Sequence, residues 1–135
     1  MDKEEYQNKY LEFQALGEHI KQIQNSIMEL EQQLAELRKL QESLESIENT
    51  KLNEEVLVLL GAGTYIKTKL ADDKKVIMNI GADKLVDKSI NDSISLVKSQ
   101  TDELVKIHNQ MNNEFINHTL KLQKLHQELQ TNPNE

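Results

Sequence analysis

The sequence FQALGEHIKQIQNSIMELEQQLAEL, residues 13–37, places apolar side chains at alternating steps of three and four. A second stretch, residues 90–129, has the same pattern towards the other end of the chain. A spacing of about 3.5 residues that continues over several heptads indicates a coiled-coil seam rather than an ordinary amphipathic face. We therefore predict two long helices that fold back on each other as an antiparallel coiled-coil hairpin.

The heptad positions a and d also predict how the helices pair. These positions run along residues 6–48 in the first helix and residues 90–129 in the second. In an antiparallel hairpin, position a faces position d, and pairs whose residue numbers sum to about 138 satisfy this rule throughout. That register sets Ile20 against His118. Registers one heptad away keep the same pattern, so they stay open as alternatives.

Composition and charge narrow the classes of function. Hydrophobic residues make up 37% of the chain and aromatic residues 4%, which suits a narrow seam better than a wide core. The absence of cysteine excludes disulfides and thiolate chemistry. The net charge is −7, and acidic helices repel phosphate backbones and anionic lipids. With no apolar leader at the N-terminus, we predict a soluble cytoplasmic protein without nucleic acid or membrane partners.

The middle of the chain changes from helical spacing to β-branched runs punctuated by glycine. Gly61 and Gly63 mark one turn and Gly81 marks another, so the pattern predicts two β-hairpins. The predicted strands are residues 55–60, 64–70, 75–80 and 84–88. We expect Ser89 to be the N-cap of the second helix.

Two hairpins have too few strands to form a stable sheet with covered edges. Leu57 and Leu59 also lie on the opposite strand face from Val56, Val58 and Leu60, so both faces call for burial. We therefore predict that other subunits supply the missing strands. The predicted subunit-interface residues are Val56, Leu57, Val58, Leu59, Leu60, Tyr65, Ile66, Val76, Ile77, Met78 and Ile80.

The segments LLGAGTYIK, residues 59–67, and KVIMNIGA, residues 75–82, lie between the two heptad stretches. In this setting they resemble the α-subunit branch of the archaeal prefoldin family, and the resemblance in architecture extends over essentially the whole chain. Two positions depart from the family pattern. Relatives often carry proline at the position of Leu59 and a second glycine at the position of Asp83.

The resemblance implies an α+β fold in which the β-hairpins of several subunits complete a shared β-barrel. It implies one prefoldin-like domain, with a helix over 1–50, hairpins over 51–88, a second helix over 89–131 and a tail over 132–135. It also implies a hexamer of two α and four β subunits. Such a hexamer is an ATP-independent holdase that captures unfolded chains and delivers them to a group II chaperonin.

A holdase needs apolar surface in an accessible, charged setting, and the free ends of the two helices have that character. Lys9 occupies a d position, and Asn132 would oppose Tyr6, so the seam weakens there. An opened end would expose side chains that a non-native client can cover. The predicted client-binding residues are Tyr6, Tyr10, Leu11, Phe13, Leu122, Leu125 and Leu129. The alternative is that they are ordinary coiled-coil core.

Other patterns carry little chemistry. Gly61-Ala-Gly63 lacks the Lys-Ser/Thr pair of a phosphate loop, and turn formation explains it better. His108 and His118 are ten residues apart and share no metal-binding face, so we expect hydrogen-bonded seam histidines. We expect no enzyme activity, cofactor or metal. The alternative function is a structural coiled-coil adaptor that oligomerises through its β segment and binds one folded partner.

Overall fold

The computed structural model describes residues 2–130, so Thr131 and the predicted tail, residues 132–135, lie outside the described residues. The order of elements confirms the predicted one, with two long helices separated by four strands. The elements are α1 (Lys3–Glu48), β1 (Glu55–Gly61), β2 (Thr64–Lys69), β3 (Lys75–Asn79), β4 (Leu85–Ser89) and α2 (Ile90–Gln130).

The described residues form two compact units. The helical unit contains the described residues of Met1–Leu34 and Glu103–Glu135, and the hairpin unit is Ala35–Asp102. That the whole chain acts as a single domain stays a prediction.

Within the helical unit, the α1 and α2 segments pack along the predicted seam. Every a and d position of α1 from residue 6 to residue 34 is buried or half-buried, and so is every one of α2 from residue 104 to residue 129. The phenyl ring of Phe13 stacks on the imidazole of His126, with centroids 5.8 Å apart. The Glu31 carboxylate lies 3.1 Å from Nε2 of His108. Both pairs lie within one residue of the predicted register, so the registers one heptad away are wrong for this structure.

Side-chain caps fix the first turn of each helix. Oδ1 of Asp2 accepts a hydrogen bond of 2.8 Å from the backbone N–H of Glu5, at the start of α1. Oγ of Ser89 accepts one of 3.0 Å from the N–H of Asp92, which confirms Ser89 as the N-cap of α2. Both bonds satisfy N–H groups that have no partner within the helix.

The hairpin unit has a small aliphatic core. Leu44 of α1 packs with three residues of α2, and Val76 of β3 packs against this cluster. The α2 members of the cluster are Ile90, Ile94 and Val97. Ser93 is fully buried beside them, and its hydroxyl donates to the carbonyl oxygen of Ser89 at 2.8 Å. The core therefore joins the second hairpin to the helices without an unsatisfied hydroxyl.

The strands form two separate antiparallel sheets of two strands each, β1–β2 and β3–β4. In β3–β4, Ile80 and Lys84 lie outside the strands because they close the turn, with the N–H of Ile80 donating to the Lys84 carbonyl at 2.9 Å. Leu70 likewise follows β2 and bonds to Glu54. The predicted strand ends are therefore wrong by one residue at these positions, since a pattern of residue types does not separate a turn-closing pair from a strand end.

The turn glycines are confirmed by their backbone angles. Gly63 has φ of 75° and Gly81 has φ of 119°, a region that side chains disfavour, and Gly61 also has a positive φ of 140°. Asp83, in the same turn as Gly81, has φ of 59°. Aspartate tolerates this left-handed conformation better than most residues, so the turn forms without a glycine at this position.

The register can be tested by disulfide formation. A cysteine pair at Leu30 and His108 should oxidise within one chain, because these positions face each other across the seam. The matched control is Leu30 with Phe115, which lies about a heptad, or roughly 10 Å, out of step. The measurement is the fraction of monomeric cross-linked chain on a non-reducing gel. Efficient oxidation of the control pair alone would contradict the register.

Candidate interaction surfaces

The two hairpins leave many large apolar side chains exposed, and we call this set of side chains the hairpin surface. Leu57 of β1 is 62% exposed and Ile77 of β3 is 68% exposed, values unusual for residues of a β-strand. A monomeric domain rarely leaves so many neighbouring apolar side chains in water. The hairpin surface consists of Leu57, Val58, Leu59, Leu60, Tyr65, Ile66, Ile77, Ile80 and Leu85.

Strand pairing explains how these side chains come together. Leu57 pairs with Lys67 and Leu59 pairs with Tyr65, so one face of the first hairpin carries apolar groups along both strands. The register shifts between Leu59 and Gly61, which places Leu60 at a bulge. Leu59 itself takes part in the ladder.

Three predicted interface residues are half-buried within this chain. Val76 packs on the aliphatic core of the hairpin unit, and Sδ of Met78 lies 3.6 Å from the Ser93 hydroxyl. Val56 is half-buried and lines a groove with residues of the C-terminal part of α1. Alternation along a strand predicts two faces but does not say which face the chain's own helices cover. Val76 and Met78 thus pack within the chain, and their role in a subunit interface stays a prediction.

Leu85 belongs to the hairpin surface but was missed by the sequence analysis. It is 65% exposed and pairs with Asn79 across β3–β4. Because Ile77 pairs with Asp87, Leu85 and Ile77 share one face of this hairpin. Strand alternation could have predicted this position, because Leu85 and Asp87 lie two residues apart and therefore on the same face of β4. A strand that mixes leucine with three polar residues offers little contrast.

We call the N-terminal end of α1 and the C-terminal end of α2 together the tip. The second surface lies on the α1 side of this tip. A shallow groove of about 220 Å³ is lined there by Tyr6, Gln7, Tyr10 and Leu11. Tyr10 is 46% exposed and Leu11 is 61% exposed. Both lie off the seam, so neither is needed to hold the helices together. The tip thus presents apolar side chains while the coiled coil is closed.

The other predicted client-binding residues belong to the seam itself. Leu125 is 6% exposed and therefore buried, whereas Phe13, Leu122 and Leu129 are half-buried. Phe13 and Leu122 line two grooves, of about 290 and 420 Å³. Gly17 borders the larger groove, and a β-carbon there would meet no atom within 4 Å. These side chains are partly accessible, but Leu125 becomes accessible only if the helices separate.

An ion pair that the heptad pattern did not reveal joins the two helices at the tip. Nζ of Lys9 lies 2.9 Å from Oε2 of Glu128 on the other helix. The hydrogen bond to Glu128 raises the pKa of Lys9, and the same bond lowers the pKa of Glu128 below its ordinary value. Lys9 is therefore satisfied at its d position rather than a source of fraying. The predicted opposition of Asn132 to Tyr6 falls outside the described residues.

The histidines divide into two kinds. His108 bonds through Nε2 to Glu31 and lies 3.4 Å through Nδ1 from Asn112, which confirms a hydrogen-bonded seam histidine. His118 instead packs edge-to-face on His19, with ring centroids 4.9 Å apart, so its predicted hydrogen bond is wrong. Among residues 2–130, no cluster of three or more His, Cys, Asp or Glu side chains has metal-binding geometry.

A charged group also orders the connection between the hairpins. The carboxylate of Asp72 accepts hydrogen bonds from the N–H groups of Lys74 and Lys75, at 2.9 and 3.1 Å. These bonds lower the pKa of Asp72, the bond from Lys74 most strongly. In the described part of the chain, no helix combines the length and hydropathy needed to cross a bilayer.

Comparison with known proteins gives consistent matches. A family model described as Prefoldin subunit matches residues 16–135. Prefoldin subunit alpha of Methanococcus aeolicus is 31% identical, over 83% of this chain and 85% of the relative. Prefoldin subunit alpha of Archaeoglobus fulgidus is 29% identical, over 93% of this chain and 91% of the relative. A filamentous PFD from Methanocaldococcus jannaschii, solved by cryo-EM, has the same fold, with a TM-score of 0.69 and 18% identity over 83% of this chain and 93% of that chain.

The ion pair predicts a pH-dependent tip. Because the pKa of Glu128 is lowered, its stabilising effect is present above the ordinary glutamate pKa and is lost as pH falls through the lowered value. Glu128→Gln should therefore speed hydrogen exchange of tip amides at neutral pH, compared with wild type at the same pH. The difference should vanish in acid.

The matched control is Glu18→Gln, because Glu18 pairs with Lys21 on its own helix, at 3.8 Å, and does not cross the seam. This control should exchange like the wild type at the tip. Equal exchange of wild type and Glu128→Gln at neutral pH would show that the ion pair does not hold the tip closed.

Proposed function

Since this chain belongs to the prefoldin family and is a chaperone subunit that assembles into a multi-subunit complex, we propose that it is the α-type subunit of a holdase. In this proposal the hairpin surface binds prefoldin β subunits and the tip binds non-native polypeptides. The observation that carries the proposal is that each unit of the chain has large apolar side chains that the chain itself leaves uncovered.

The hairpin surface supports the assembly role. Each sheet has only two strands, so every strand keeps an edge of backbone N–H and C=O groups available for pairing. Strands from neighbouring subunits would use these edges and cover side chains such as Leu57 and Ile77. We propose a hexamer of two α and four β subunits, in which the hairpins form a shared β-barrel.

One solved structure of the same fold suggests a filament as a second kind of assembly. The Methanocaldococcus jannaschii PFD is filamentous, and it has this fold. The same strand edges would allow copies of this chain to pair with one another without closing a ring. The hexamer and the filament can be distinguished by measuring the mass of the assemblies that the chain forms alone and after co-expression with a prefoldin β chain. A closed complex only with β supports the hexamer, whereas long assemblies of the chain alone would favour a filament.

The tip supports client capture. Tyr10 and Leu11 are exposed without opening of the seam, and they are flanked by polar or charged residues such as Gln7 and Glu12. Apolar side chains in such a setting can cover exposed apolar segments of many unfolded proteins while the subunit stays dispersed. In this proposal Phe13, Leu122 and Leu129 add partly accessible contacts, and Leu125 contributes only after local opening.

The remaining steps follow from the same model. We propose that the holdase acts without ATP and passes its clients to a group II chaperonin in the cytoplasm. The adaptor alternative predicts a single folded partner, whereas a holdase suppresses aggregation of several unrelated denatured proteins. Aggregation assays with two or more unrelated clients therefore separate the two functions.

Assembly should fail in Leu57→Asp, because burial without a partner costs on the order of 2–7 kcal/mol for a neutral polar group and more for a carboxylate. The helices should remain, since Leu57 is exposed in the single chain. The measurement is light scattering with circular dichroism after co-expression with the β chain. A matched control is Asp73→Asn, in the connection between hairpins. A full-size complex of Leu57→Asp would contradict the assigned interface.

Client protection should fall in the double variant Tyr10→Ser, Leu11→Ser. Burial of each such side chain contributes about 1.5–3 kcal/mol to client binding. Because the tips of several subunits bind one client together, the losses at the individual tips combine into a larger loss of affinity. Met28→Ser is the control, because Met28 is also exposed on α1 but lies away from the tip. The measurement is light scattering of a chemically denatured client with the assembled complex present.

A larger deletion tests the whole tip. Removal of residues 1–12 and 123–135 leaves the hairpin unit unchanged, so assembly should persist while client protection is lost. If the assembled truncated complex protects clients as well as the full-length complex, capture does not occur at the tip of this subunit.

A further inference from the structure

Two histidines of the helical unit face each other across the seam. His19 lies on α1 and His118 on α2, and their ring centroids are 4.9 Å apart with the ring planes at 75°. The other two histidines of the chain have hydrogen-bonded rings, His108 with Glu31 and Asn112, and His126 with Gln130. Within residues 2–130, His19 and His118 have no such bond, so each neutral imidazole keeps a nitrogen lone pair free.

The separation of the rings matches that of two imidazoles on one metal ion. A Zn–N bond is about 2.0–2.1 Å and the ring centroid lies about 1.15 Å beyond the nitrogen, so the metal is roughly 3.2 Å from each centroid. Two imidazoles at an angle of about 90–110° then have centroids about 4.5–5.2 Å apart. The observed 4.9 Å lies within this range.

The surroundings favour a cation as well. His19 is exposed and His118 is half-buried, so an ion can enter from solvent and keep water on its remaining positions. The lysines on either side already pair with carboxylates, Lys21 with Glu18 at 3.8 Å and Lys121 with Glu12 at 3.4 Å. The net charge of the chain is −7, which attracts cations rather than repelling them.

We propose that His19 and His118 form a two-imidazole site for Zn²⁺, completed by water, that links α1 and α2 in the helical unit. Imidazole suits zinc, copper and nickel, and zinc accepts a tetrahedral arrangement of two imidazoles and two waters. With two protein ligands the site binds more weakly than a structural site with four. Zinc bound there stabilises the closed seam at this layer, because the unfolded chain does not hold the two rings together.

Calorimetric titration of the full-length chain with zinc chloride tests the site. Wild type should bind one Zn²⁺ per chain, and His118→Gln or His19→Gln should weaken binding by at least about tenfold, the loss typical of a perturbed metal shell. His126→Gln is the matched control, because His126 is exposed on the same helix and has no histidine beside it. This control should bind like the wild type.

Imidazole ¹⁵N resonances give a second measurement that does not depend on variants. Zinc should shift the resonances of His19 and His118 and leave those of His108 and His126 in place. The proposal is overturned if wild type binds no zinc, if His126→Gln loses as much affinity as His118→Gln, or if the shifts occur at His108 or His126. None of these outcomes depends on client binding or assembly.

Discussion

The apolar seam between antiparallel helical segments is the constraint on which the rest of the chain depends. With few aromatic residues, the chain buries mostly leucine and isoleucine. These side chains form layers that alternate between heptad positions a and d. Several polar residues of the seam meet a hydrogen-bonding partner. Lys9 pairs with Glu128, His108 meets Glu31, and the hydroxyl of Thr101 donates to the carbonyl of Val97 at 2.8 Å. The seam therefore tolerates polar layers without leaving those groups unsatisfied.

The hairpins follow the opposite rule, because most of their apolar side chains remain in water. Val76 and Met78 face the chain's own core or α2, but Ile77, between them, is exposed. Two-stranded sheets are marginal by themselves, so their order depends on the turn glycines, on packing against the helices and on neighbours that cover the outer face. The same feature that makes the hairpins incomplete as a domain makes them suitable as an assembly surface.

The sequence predicted periodic features well and side-chain partnerships poorly. Heptad spacing placed every seam position of the helical unit, since a period of about 3.5 repeats many times and averages out exceptions. Glycine placed the turns because few residues accept a positive φ. The pairs Lys9–Glu128 and His19–His118 join residues more than 90 positions apart, and their formation depends on side-chain reach, which heptad letters do not encode.

The candidate surfaces were also predicted unevenly, for a related reason. Alternation identified the apolar strands but not the face that the helices cover, so it did not separate Val76 and Met78, which pack within the chain, from Ile77 and Leu85, which are exposed. At the tip, seam position and client contact are competing roles for one side chain, and only exposure separates them. Leu125 is buried and Leu11 is exposed, although both are leucines near the helix ends.

The two surfaces also differ in the kind of partner they suit. The hairpin surface combines apolar side chains with open backbone edges, and backbone pairing fixes the register and orientation of whatever binds. A partner there must supply a strand, which favours defined subunits. The tip offers a few apolar side chains on helices whose backbone groups are already bonded, so nothing there selects a sequence or a register. Each such contact is weak alone, so in the proposed holdase capture would gain strength when several subunits present their tips together, and assembly at the hairpins would be a condition for binding at the tips.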